Sequence, residues 1–186
     1  MWAAPPSPLG PSSYLGGAPY VGNVVFGLSS SEIGILFAIT AVGYAAGNFI
    51  AGRYSVRLGM NRMVLLGSLV TVAGLGLLLL LTLAGFHSAY IFFGSTVAVG
   101  LGNGMTLPNA NAGILSVRPE LAGTASGLGG AIMIGGGAGL AALAGWLLGP
   151  GSSEMPLILL MLLSSLGSVT SILLVIRRAR SLGLSP

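Results

Sequence analysis

The stretch MVLLGSLVTVAGLGLLLLLTLAGF, from Met63 to Phe86, decides the fold: it carries no charge, and an unbroken leucine run extends from Leu77 to Leu81. A helix rising about 1.5 Å per residue needs roughly 20 apolar residues to cross the hydrocarbon of a bilayer. This stretch meets that length by itself, with Arg62 before it and His87-Ser88 turning the chain after it. Four further uncharged spans are predicted on either side, over 33–52, 89–107, 121–148 and 155–176. The first follows Ser29-Ser30-Ser31-Glu32, where a serine can cap a helix and Glu32 suits its first turn. The third is expected to stop at Pro108, which has no N–H to continue the ladder, and the fourth at Gly149-Pro150-Gly151.

The expected fold class is therefore all-α, a multi-spanning membrane helical bundle. Residues 1–12 read as an irregular leader, 13–28 as a partial helix rich in Gly and Pro, 13–180 as the bundle and 181–186 as a tail. Composition supports this: 54% of residues are hydrophobic and 5% charged, against about 25% charged in soluble domains. The bilayer is the surrounding solvent. There is no cysteine, hence no disulfide framework and no thiolate site. All seven cations are arginines beside apolar spans, which fits orientation in a membrane and argues against nucleic acid as a partner.

Short cytoplasmic loops are enriched in Lys and Arg. Five crossings bring Arg53, Arg57, Arg62, Arg118, Arg177, Arg178 and Arg180 to one side, and Glu32, His87 and Glu154 to the other. The expected location is the inner (plasma) membrane, multi-pass, with the C-terminus cytoplasmic.

Small residues recur every fourth position at Gly123, Gly127, Ala131, Gly135 and Gly139, a pattern that lets another helix backbone approach. Gly43 and Gly47, followed by Ala51, repeat it in the first span. Either static packing or a rocking contact accounts for these faces. The segment Gly52 to Arg62 is read as a cytoplasmic loop in which a glycine permits a tight turn between arginine-bearing helix ends. Its Arg53, Arg57 and Arg62 serve topology alone, or Arg53 or Arg57 latches two helices together. Asn103, Asn109 and Asn111, Asn48 in the first span, and Pro108, which frees a backbone carbonyl that could coordinate substrate, are five candidates to line a substrate cavity, because amides in hydrocarbon need partners; the asparagines could instead bridge helices, and a plain helix end at the interface is the alternative for Asn109 and Asn111. No paired carboxylates, histidine cluster or Ser/His/Asp set stands in the sequence, so an enzyme, a metal site or a cofactor is not expected. Nor is an ionisable residue found within a span, as proton coupling would require.

The stretch from Gly27-Leu28-Ser29 through Arg62, Gly104-Met105-Thr106-Leu107-Pro108-Asn109-Ala110, and Leu121-Ala122-Gly123-Thr124-Ala125-Ser126-Gly127 resembles the C-terminal half of major facilitator superfamily drug exporters. It is most similar to the bicyclomycin-resistance type of multidrug:proton antiporter, from about Tyr14 to Arg180. Gly52, Arg57 and Gly59 match that superfamily's cytoplasmic motif, whereas Val56 stands at its acidic position and Met60 at its next basic one.

The resemblance implies half of a major-facilitator fold, five full transmembrane helices and a partial one. It also implies proton-coupled efflux of drugs or other small amphipathic molecules by alternating access, with small molecules and protons as partners once an N-terminal six-helix half, or a second copy, completes the carrier. A truncated or misassigned reading frame, or a split gene, would explain the incomplete first helix. The alternative is a non-transporting membrane scaffold or an inert gene product.

Overall fold

The computed structural model describes residues 17–116, 121–148 and 153–181. Residues 17–20 are helical and run into a π-helical turn, Val21–Val25. Five long helices follow: α1 Ser30–Leu58, α2 Met60–Leu83, α3 Ala89–Ser116, α4 Ala122–Leu147 and α5 Met155–Ser181. The described residues hold no strand, so the chain is all-α, as its apolar runs require. Four of the five helices, all but α3, are long and apolar enough to cross a membrane by length and composition. The third helix is diluted by its own Asn103, Thr106, Asn109 and Asn111.

Helix ends follow local chemistry. Ser29 caps α1: its hydroxyl accepts from the Glu32 N–H at 3.3 Å, and the Glu32 carboxylate accepts from the Ser29 N–H at 2.8 Å. This reciprocal capping box satisfies two donors that a helix start leaves orphaned. At the other end α1 does not stop at residue 52. Nothing from Gly52 to Leu58 breaks a helix, so the expected loop is helical except at Gly59, the one residue between α1 and α2. Its φ of 85° is open to glycine and strained for any L-residue with a side chain. The Gly59 N–H closes on the Ser55 carbonyl at 2.9 Å, and its own carbonyl accepts from the Met63 N–H at 3.1 Å. Two long helices thus meet at a single-residue hinge.

Pro108 also fails to end its helix, and α3 continues through it to Ser116. Proline withholds one N–H, which leaves the Gly104 carbonyl without its partner four residues on. Membrane helices tolerate that loss where neighbours or side chains compensate. The fifth helix runs past residue 176 and carries its arginines as a last helical turn.

The third helix is the centre of the bundle, packed most extensively against α1 and α2. Glycines allow this. Methyl groups at Gly43, Gly47 and Gly100, Gly104 would strike the backbone of the facing helix in the α1–α3 pair, and Gly67 and Gly102 are equally close between α2 and α3. The two interfaces use opposite sides of α3, since Gly102 and Gly104 point about 200° apart at 100° per residue. A second layer of packing lies near the arginine-free end, where Phe92, Phe93, Leu75, Leu78, Leu157 and Met161 are buried together. Ala18 and Val21, both fully buried, belong to this cluster. The segment before α1 is therefore part of the core. On the far side of the bundle, α2 and α5 pack through Val64, Ile172 and Ile176.

Candidate functional site

The five residues expected to line a cavity do not form one cluster. Asn103 and Asn109 are buried, at 8% and 4% exposure, on the packed sides of α3. The Asn109 amide donates to the Met105 carbonyl at 2.8 Å, one turn back on its own helix. This bond spends the amide locally beside the gap that Pro108 makes in the ladder. Asn48 does the same on α1, donating to the Tyr44 carbonyl at 3.0 Å, and is half-buried. Pro108 and Asn111 are exposed. The helical repeat explains the division: Tyr90, Gly94, Pro108, Ala112 and Leu115 share the exposed side of α3, and Asn103 lies roughly opposite.

The small-residue faces divide just as sharply. Gly43, Gly47 and Ala51 are buried against α3. By contrast, Gly123, Gly127, Ala131, Gly135 and Gly139 are exposed, and a methyl group at any of these four glycines would meet nothing. Within α4 only Gly137 and Ala144 are buried. Uncovered apolar faces are therefore present on α4 and on α1 away from α3, where Val42 and Phe49 are 68% and 74% exposed, as well as on α2 at Leu80 and on α5 at Leu163.

Charge segregates by end. Arg53, Arg57 and Arg62 flank the Gly59 hinge, and α5 delivers Arg177, Arg178 and Arg180 to the same end because Val64 packs on Ile172 and Ile176. All six are exposed. Arg118 and Glu120 lie outside the described residues. At the opposite end, His87 and Glu154 form a contact that sequence reading missed: Nδ1 to Oε1 at 2.6 Å, with Glu154 almost wholly buried and His87 half exposed. It ties the α2–α3 turn to the start of α5. The only signal for it in the sequence was that both residues fall on the same side of the membrane.

Two hydroxyl contacts were equally invisible. Thr40 and Thr96 lie 2.8 Å apart between α1 and α3, and Ser68 and Ser168 3.2 Å apart between α2 and α5. Among the described residues, no group of three His, Cys, Asp or Glu side chains could hold a metal ion.

Long apolar helices, a glycine-knit centre and arginines gathered at one end define an integral membrane helical bundle. The chain belongs to the Major Facilitator Superfamily, whose family model matches residues 8–185. It is thus a multi-pass protein of a membrane-transporter family. Among curated proteins nothing matches it.

Proposed function

We propose that this chain forms one half of a carrier that exports drugs or other small amphipathic molecules in exchange for protons, working against a second six-helix unit. The observation that carries the reading is the pair of uncovered faces on α1 and α4, with α3 between them. A self-contained bundle would bury its glycine stripe, whereas a half-carrier must leave its contact helices open. The uncovered side of α3, with Pro108 and Asn111, would supply one wall of the substrate pathway together with α4.

Proton coupling needs an ionisable group within the membrane. Among the described residues the ionisable side chains cluster at the two helix ends, which supports a division of labour: the coupling carboxylate belongs to the other half. The resemblance to bicyclomycin-resistance exporters supports the substrate class and the direction of transport. The inner membrane, with the arginine end in the cytoplasm, follows from the positive-inside rule.

Proteoliposomes containing only this chain should show no drug movement when a proton gradient is imposed. Robust gradient-driven transport by the chain alone would overturn the reading. If crosslinking instead returns a specific pair of identical chains, the second unit is another copy.

A further inference from the structure

A cleft of about 320 Å³ opens between α4 and α5, lined by Leu140 on one side and by Leu160, Ser164, Gly167 and Ser171 on the other. Its hydroxyls are already spent. Ser164 donates to the Met161 carbonyl at 2.9 Å and Ser171 to the Gly167 carbonyl at 2.8 Å, while Ser168 at its edge pairs with Ser68. An occupant would find methyl and methylene groups and little to bond with, which suits a hydrocarbon chain.

The same face of α5 then leads to charge. Positions 160, 164, 167, 171, 174 and 178 follow the helical repeat and form one stripe. Leu174 on it is 62% exposed. Arg178 ends it, seven residues or about 10 Å beyond Ser171. Arg177 stands beside it, Arg180 lies about 200° further round the helix, and Arg62 is level with Leu174, about one turn short of Arg178, because the facing pairs Ser68–Ser168 and Val64–Ile172 fix an antiparallel register. None of these arginines pairs with a carboxylate among the described residues. The two described glutamates, Glu32 and Glu154, begin α1 and α5 at the opposite end, more than 30 Å away along the helices. Like charges gathered at one end favour an anionic ligand there.

An apolar cleft whose α5 face leads on to guanidinium groups fits a ligand with an acyl chain and an anionic head. We infer that the α4–α5 cleft and Arg178, with Arg177 beside it, form a site for an anionic phospholipid, its acyl chain in the cleft and its phosphate on these arginines. Guanidinium groups match phosphate geometry with paired N–H donors, and basic sites between membrane helices take such headgroups. The site lies away from the uncovered α3 side and does not depend on the transport reading.

The test is lipid retention by the full chain, purified in detergent from mixed phosphatidylglycerol and phosphatidylcholine and weighed by native mass spectrometry. Phosphatidylglycerol should be retained in preference, by about fivefold for each arginine engaged. The double variant Arg177→Gln/Arg178→Gln should lose that preference, since its exposed positions leave the packing intact, whereas Arg180→Gln should keep it. Gly167→Leu, at a position with open space beside it, should fill the cleft and lower retention while all arginines remain. Equal retention of the two lipids, an unchanged preference in the double variant, or unchanged retention in Gly167→Leu would overturn the site. So would competition by inorganic phosphate or oleate as effective as that by phosphatidylglycerol, which would reveal a simple anion or fatty-acid site.

Discussion

At the residue scale, two kinds of position were readable to different depths. That Gly43 and Gly47 mark a close helix approach was legible, because only a missing side chain lets backbones touch. The partner was not legible, and the more regular stripe on α4 turned out to face no helix of this chain. The contrast is testable in one experiment. Gly104→Ala places a methyl group against the Tyr44 carbonyl and should destabilise the protein by about 1–3 kcal/mol. Gly135→Ala should change stability by less than about 0.5 kcal/mol, both read by thermal unfolding in detergent.

The His87–Glu154 contact belongs to the same scale and left almost no trace in the sequence. Two residues separated by 67 positions meet only because α2, α3 and α5 pack as they do. Removing the imidazole with His87→Ala leaves a buried carboxyl without its partner, at a cost of about 1–3 kcal/mol. Adding Glu154→Gln should recover part of that loss, because a neutral amide is less costly to bury than a carboxylate. Equal unfolding temperatures for the single and double variants would contradict the contact's role.

At the scale of elements, the apolar runs located all five helices, but their ends moved. Proline at 108 was read as a stop because it withholds an N–H; the helix passes through it with its ring on the exposed side and the Asn109 amide bonded to the Met105 carbonyl. Pro108→Ala should therefore leave helical content by circular dichroism unchanged, whereas a helix truly ending at 107 would lengthen. The arginine-bearing segment from Gly52 to Arg62 was read as a loop because its charges end the apolar run. Charge ends a span without ending a helix, and only Gly59 breaks this one. Gly59→Ala must hold a side chain at φ 85° and ψ 148°, a region essentially reserved for glycine, and should cost about 1–3 kcal/mol, with Gly59→Asn no better because asparagine tolerates positive φ mainly at ψ near about 45°. A clearly smaller loss for Gly59→Asn would argue for a left-handed helical turn and against the hinge geometry.

For the whole molecule, membrane bundle and superfamily were legible from sequence because hydropathy, arginine placement and a few short motifs are local signals. The cavity was less legible. Polar residues in apolar helices were read together as a lining, but the 3.6-residue repeat separates Asn103 from Pro108 and turns them to different sides of α3. Which helices remain uncovered is a property of the assembled bundle, and no single span carries it.

That α1 and α4 are covered by another protein unit is the claim on which the half-carrier reading stands. The chain has no cysteine, so single cysteines can report on each face in native membranes. Phe49→Cys on α1 and Gly135→Cys on α4 should be protected from a lipid-phase thiol reagent, while Leu80→Cys on α2, whose side chain is 66% exposed, reacts freely. Labelling of all three positions at the same rate would mean that lipid covers those faces, and would contradict the account.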